Sequence, residues 1–150
     1  MKKRLAPIRY AMSMFAAIGS FFLLMYLTGF GHIVELRLVN VLIVIYFTGK
    51  MAADYAIARD KAGYLNHLIA LFSANIINVV LCILGILLFV LLIDPSYPTI
   101  FENGLALFRV SSLSELIISL AMEGMAVGAV TSFGVMQYWK NYKVDYKNTD

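Results

Sequence analysis

The sequence predicts an all-α integral membrane protein, a single bundle of four transmembrane helices. Of its 150 residues, 61% are apolar and 14% are charged, whereas a soluble domain carries roughly 25% charged residues. The mean hydropathy is +0.82. Four apolar runs, each able to cross about 30 Å of hydrocarbon at about 1.5 Å per residue, use most of the chain. They leave no room for a separate soluble catalytic domain.

The first two helices are predicted at about 8–31 and 36–58. Gly29 and Gly31 are expected to end the first helix, because glycine lacks a Cβ atom and readily adopts backbone conformations that do not continue a helix. The connection to the second helix is only a few residues long, so the two helices are expected to be antiparallel neighbours. The polar segment 59–63 ends the second helix.

The third and fourth helices are predicted at about 64–93 and 112–139, followed by a polar tail at 140–150. Between them lies an outer loop, 94–111, which begins with Asp94 and Pro95. Proline lacks an amide donor and disfavours a helical conformation in the residue before it, so the third helix stops there. Apolar residues at 98–108 predict a short interfacial helix within this loop, at Ile100, Phe101, Leu105 and Phe108.

The basic residues predict the orientation of the bundle. Of the 12 Lys and Arg residues, Arg37 and Arg109 lie at one end and the others lie at or nearer the opposite end. Because Lys and Arg are retained on the cytoplasmic side during insertion, both termini are expected there. The larger group is Lys2, Lys3, Arg4, Arg9, Lys50, Arg59, Lys61, Lys140, Lys143 and Lys147.

Charge and residue counts exclude several functions. The net charge is +3, but the basic residues lie at helix ends and do not form the water-facing patch that binds nucleic acid. The lipid bilayer is the expected contact for them. Cys82 is the single cysteine, which excludes an internal disulfide or a cysteine-rich metal cluster. No hydrolase, phosphate-binding or metal motif occurs, so no enzyme activity, metal or cofactor is predicted.

Glu123 is the first candidate functional residue, because it lies about 15 Å into the fourth helix and so near the bilayer centre. A charged side chain there costs several kcal/mol, so it is expected to face the bundle interior or a water-filled cavity. It is interpreted either as a proton or cation site or as an acid that hydrogen-bonds a neighbouring helix. Asn78 and Asn75 of the third helix are the expected partners.

Two sets of residues repeat at every fourth position of the fourth helix, so each set follows one face. The polar set begins in Ser112-Leu113-Ser114-Glu115, a predicted capping box that starts the helix. The small set predicts close packing of another helix, either within the chain or in a homodimer. The polar set is Glu115, Ser119 and Glu123, and the small set is Gly124, Gly128 and Ser132.

Lys50 and Asp54 lie one turn apart near the cytoplasmic end of the second helix. This spacing predicts an interfacial ion pair in which the two charges neutralise each other and the lysine extends toward the head groups. The alternative is a pair between Lys50 and Glu123.

Single residues spread from Glu35 to Tyr138 resemble a family of four-helix membrane proteins of Bacteroidetes, a domain of unknown function. The resemblance implies the four-span fold and a bacterial inner membrane, and it brings no activity, cofactor or catalytic residue. The matching positions are Glu35-Leu36-Arg37-Leu38-Val39-Asn40, Tyr64, Ile93-Asp94-Pro95, Glu123-Gly124, Gly128 and Met136-Gln137-Tyr138.

The expected function is non-enzymatic: an accessory or assembly subunit of a larger membrane complex, or a self-associating bundle. The sequence contains residue patterns that favour helix packing, and it contains no motif of catalytic residues. The alternative is a small proton- or cation-coupled transporter or channel that acts as an oligomer through Glu123, with Asn75 and Asn78 along its path.

Overall fold

The computed structural model describes residues 6–30, 36, 38–57, 63–97 and 112–142. Its helices are α1 (Ala6–Leu27), α2 (Leu38–Ile57), α3 (Tyr64–Leu92) and α4 (Leu113–Tyr142). All four are long and apolar enough to cross a membrane, and no strand occurs in the described ranges. The predicted fold class, an all-α transmembrane bundle of four helices, is confirmed. The expected interfacial helix at 98–108 and the end of the tail, 143–150, lie outside these ranges.

The connection after α1 begins earlier than the sequence predicts. The helix ends at Leu27, whereas the prediction extended it to residue 31. Thr28 Oγ1 donates to the carbonyl oxygen of Leu24 at 2.8 Å, and Gly29 then adopts a φ of 79°. This left-handed conformation suits glycine because it lacks a Cβ atom, so the chain turns out of the helix there.

Buried clusters at the two ends of the bundle show how the helices run. One cluster, the termini-end core, joins residues near the start of α1 to residues near the end of α4. The other, the loop-end core, joins the end of α3 to the start of α4. The start of α1 and the end of α4 therefore lie at one end of the bundle. The termini-end core is Tyr10, Met51, Ala52, Leu71, Ala74 and Met136, and the loop-end core is Phe89, Val90, Tyr97 and Leu116.

The four helices form a ring in which α1 and α4 each pack against both α2 and α3. At the loop end, α1 and α3 are held together by aromatic rings that meet edge to face. The ring centroids of Phe22 and Phe89 are 5.0 Å apart, and those of Phe89 and Tyr97 are 5.3 Å apart. Tyr26 adds a hydrogen bond, since its hydroxyl donates to Asp94 Oδ2 at 3.4 Å.

Candidate functional site

A cavity of about 440 Å³ lies inside the bundle and is lined by all four helices. Its deepest wall includes Val44 and Asn75, both buried, and it continues to Leu92 and Ile93 near the loop end, both exposed. Most of its wall is hydrocarbon and aromatic carbon. Its volume falls in the range of about 300–1,000 Å³ that is typical of small-molecule sites.

Glu123 is the one charged side chain among the described residues that line this cavity. The side chain is exposed although it lies near the middle of α4. Within the described part of the chain it makes no hydrogen bond or ion pair. The expected bond from Glu123 to Asn78 or Asn75 is therefore not formed, even though all three residues line the same cavity.

Asn75 forms hydrogen bonds with other partners at the floor of the cavity. Its Nδ2 donates to Ser132 Oγ at 3.0 Å and to Thr48 Oγ1 at 3.3 Å. All three side chains are almost fully buried, with exposures of 2% or less. In this polar junction of Thr48, Asn75 and Ser132, one amide bridges α2, α3 and α4, which explains why it does not reach Glu123.

Sequence reasoning missed Thr48. A threonine inside an apolar helix gives no clear signal, because its hydroxyl can bond a carbonyl one turn earlier in its own helix. The informative signal was Asn75, since an amide at that depth requires a partner on another helix. Choosing between Thr48 and other hydroxyls required the packing of α2 against α3.

Three polar side chains line the cavity on the loop-end side of the polar junction, and we call them the polar belt: Asn40, Asn78 and Glu123. Thr48 and Gly128 both contact Asn75, which aligns α2 and α4 with α3. Asn40 is therefore two turns nearer the loop end than Thr48 is. Glu123 is five residues nearer the loop end than Gly128 is. Asn78 is three residues nearer the loop end than Asn75, so at about 1.5 Å per residue the backbone positions of the three span about 8 Å along the bundle axis.

The belt also contains an unsatisfied acceptor. Asn40 Oδ1 is buried and has no hydrogen-bond partner within the described residues. Asn78 Oδ1 accepts a bond from Cys82 Sγ at 3.7 Å, and a thiol is a weak donor. Sequence reasoning did not select Asn40 as a site residue, because it lies close to the start of α2, where an asparagine is usually solvated.

The small residues of α4 face α3. A Cβ atom added to Gly124 would lie 2.7 Å from Val79 Cγ2, and one added to Gly128 would lie 2.9 Å from Asn75 Cβ. Only glycine allows this approach, so α4 reaches the position in which Ser132 meets Asn75. Gly124 also borders the cavity next to Glu123.

The polar face predicted along α4 divides into separate environments. Ser112 and Glu115 form the expected capping box: Glu115 N donates to Ser112 Oγ at 3.3 Å, and Ser112 N donates to Glu115 Oε2 at 3.2 Å. Ser119 is half-buried and lies outside the cavity lining. Of the three polar residues, Glu123 alone borders the cavity.

Asp54 bonds α1 and does not form the expected pair with Lys50. The Tyr10 hydroxyl donates to Asp54 Oδ2, and Arg9 approaches the same oxygen at 3.9 Å. Lys50 is exposed and has no ion pair among the described residues. The partner of Asp54 differs from the predicted Lys50 for a geometric reason. Helix α1 packs beside α2 and presents a hydroxyl and a guanidinium to the face that carries Asp54.

The described residues contain no group of three His, Cys, Asp or Glu side chains that could hold a metal ion. His67 lies at the termini end, where it is buried and stacks on Tyr55 with the ring centroids 5.1 Å apart. Its position far from the polar belt gives it no part in the cavity. The chemistry available in the cavity is hydrogen bonding, one carboxylate and the thiol of Cys82, set in an apolar wall.

Comparisons with protein-family models, with curated proteins and with solved structures find no match to this chain. The resemblance to a four-helix family of Bacteroidetes stays a prediction. Any statement about function therefore depends on the residues of the chain itself, of which the polar belt and its cavity are the most specific.

Proposed function

We propose that this protein is a non-enzymatic membrane carrier or channel that binds a proton or a small cation at Glu123. The observation that carries the proposal is a carboxylate on the wall of a 440 Å³ cavity at mid-depth, without a partner among the described residues. Ionisable side chains inside membranes are costly, and they commonly mark the paths of ions and substrates. A cation in the cavity would offset that cost.

The shape of the bundle supports access from one end. The termini-end core closes the bundle below the polar junction of Thr48, Asn75 and Ser132, whereas the cavity extends toward the loop end. A carrier would have to open the termini-end core to release the cation on the other side. One bundle of four helices offers little space for a pore, so we propose that the working unit is an oligomer.

We place the protein in a bacterial inner membrane with both termini in the cytoplasm. The uneven distribution of Lys and Arg supports this orientation. The loop end, toward which the cavity extends, would then face the periplasm.

Ion movement in proteoliposomes tests the proposal. Vesicles that enclose a dye selective for protons, Na⁺ or K⁺ receive a gradient of the same ion, and the initial rate is compared between the wild type and Glu123→Gln. The matched control is Glu115→Gln, because it makes the same change on the same helix outside the cavity, and a glutamine also completes a capping box. Loss of ion movement in Glu123→Gln with retention in Glu115→Gln is expected. Equal rates in all three proteins would refute the proposal.

A second candidate function is the accessory or assembly subunit, and an exposed face of α2 favours it. Tyr46 is 62% exposed and Leu42 is 64% exposed, and Lys50 follows on the same face, one turn beyond Tyr46. Because Asp54 bonds α1, Lys50 has no carboxylate partner among the described residues. A partner helix that carries Asp or Glu would supply one.

Purification in mild detergent separates the two candidates. An accessory subunit is expected to co-purify with a stoichiometric second membrane protein, and Lys50→Ala is expected to reduce the yield of that complex. Glu123→Gln is the control, since it lies in the cavity and away from this face. If only the chain itself is recovered from native membranes, the accessory role is refuted.

A further inference from the structure

The polar belt combines one carboxylate with two amides, whose oxygens accept hydrogen bonds and whose nitrogens donate them. Glu123 contributes a carboxylate, Asn40 contributes a buried oxygen without a partner in the described chain, and Asn78 contributes an oxygen that receives only a weak thiol donor. No Lys, Arg or His is among the described residues that line the cavity. A molecule that donates several hydrogen bonds and carries a positive charge would satisfy the carboxylate and the two amide oxygens together.

The rest of the wall is apolar and favours a hydrocarbon body. α1 contributes no polar side chain to the cavity, and its lining residues include Phe15, Ile18 and Phe22. The cavity continues from the polar belt to the aromatic rings of Phe89 and Tyr97. A volume of about 440 Å³ is suited to one small amphiphile and is too small for a lipid with two acyl chains.

We infer that the cavity binds the protonated form of a single-chain lipophilic amine, with the ammonium at the polar belt and the chain along α1. This inference depends on the proposed role of Glu123 as the group that binds a cation. A primary ammonium has three N–H donors, so it can bond the Glu123 carboxylate and still donate to an amide oxygen of the belt that lies within reach. A quaternary ammonium carries the charge without a donor, and an alcohol carries a donor without the charge, so each satisfies the belt in part.

Cys82 provides a native reporter of occupancy. It is the single cysteine of the chain, it lines the cavity, and it lies one turn from Asn78. An amine at the polar belt is expected to block the approach of iodoacetamide, which does not react with a protonated amine, to this thiol. The rate of alkylation, measured by mass spectrometry, therefore reports binding without a label being introduced.

The experiment uses the full chain in nanodiscs of zwitterionic lipid and compares octylamine, octyltrimethylammonium and octanol as protecting molecules. Octylamine is expected to slow alkylation of Cys82 at concentrations about tenfold lower than those octyltrimethylammonium requires. The difference arises because the quaternary ammonium cannot form charge-assisted hydrogen bonds. Octanol is expected not to protect. Equal protection by all three molecules, or protection by none, would overturn the inference.

Two substitutions test which groups bind the ammonium. Glu123→Gln is expected to abolish protection by octylamine, and Asn40→Ala is expected to raise the protecting concentration about tenfold through the loss of one acceptor. Glu115→Gln controls for any effect of the amine on the lipid, which would be the same in every variant. Retained protection by octylamine in Glu123→Gln would contradict the inference. If a variant alters the rate of Cys82 alkylation in the absence of amine, its cavity is rearranged. The comparison of the three molecules on the wild type then decides.

The outcomes also separate this inference from the proposed function. If octylamine fails to protect Cys82 while Glu123 is still needed for ion movement in proteoliposomes, the ligand class is wrong and the ion site remains. If protection and ion movement are both absent, Glu123 is not a binding group and both proposals fail.

Discussion

Asn75 Nδ2 donates to Ser132 Oγ at 3.0 Å, and this bond joins α3 to α4 at the floor of the cavity. The same amide bonds Thr48 on α2, so three of the four helices meet at one side chain. Hydrogen bonds between transmembrane helices contribute about 0.6 kcal/mol on average. The junction therefore fixes the relative positions of these helices and contributes modestly to their stability.

Replacement of Asn75 by alanine is expected to lower the free energy of unfolding by about 1–2 kcal/mol, because two interhelical bonds and some packing are lost. Reversible unfolding in mixed detergent micelles measures this change. Asn66→Ala is the control, since Asn66 is exposed near the start of the same helix, and its effect should stay within about 0.5 kcal/mol. Similar losses in the two variants would contradict the structural role of the junction.

Gly128→Ala is expected to destabilise the protein by about 1–3 kcal/mol, as overpacking does in well-packed cores. The added methyl group would lie 2.9 Å from Asn75 Cβ, an atom that cannot rotate away. Gly134→Ala is the matched control on the same helix, because nothing lies within 4 Å of its Cβ position. It should be neutral or stabilising by up to about 1 kcal/mol through helix propensity. The same unfolding assay checks both, and a neutral Gly128→Ala would refute the close packing.

Gly124→Ala is expected to be rescued by a second substitution. Its added Cβ would lie 2.7 Å from Val79 Cγ2, which is a side-chain atom. Val79→Ala removes that methyl group, so the double variant should be more stable than the sum of the two single losses predicts. A double-mutant cycle measured by unfolding gives the coupling, and strict additivity would mean that the two residues do not collide.

Tyr10 is expected to couple to Asp54 more strongly than Lys50 does. Tyr10 donates a hydrogen bond to Asp54 across α1 and α2, whereas Lys50 shares only a helix with it. Cycles that combine Asp54→Asn with Tyr10→Phe and with Lys50→Ala should give a coupling of about 0.5–1.5 kcal/mol for the first pair. A larger coupling for Lys50 would restore the ion pair expected from the sequence.

Ser112→Ala is expected to lower the stability of α4 by about 0.5–2 kcal/mol, because it removes the hydroxyl that accepts from Glu115 N. Ser112→Thr should retain most of the cap. Hydrogen exchange at the first turn of α4 checks the prediction, with faster exchange expected in Ser112→Ala alone. Unchanged exchange in that variant would show that water replaces the cap without cost.

Local patterns were sufficient for the features that depend on neighbours in the chain. The capping box of Ser112 and Glu115 is formed within four residues, and Gly29 turns the chain where glycine was expected to end α1. The partner of Asp54 could not be predicted from local patterns. Its neighbour in the helix, Lys50, was the nearest opposite charge in the sequence, but Tyr10 and Arg9 on α1 are the groups that pack against it.

The amino-acid sequence alone determined four membrane-spanning helices and drew attention to Glu123 and Asn75, because hydrocarbon penalises every charge and unbonded amide placed within it. Tertiary structure decided which of these polar groups meet. It directed Asn75 to Thr48 and Ser132 and left Glu123 and Asn40 on the cavity wall. The physical reason is that the rotation and offset of each helix depend on side-chain packing between helices, which periodicity along one helix does not contain.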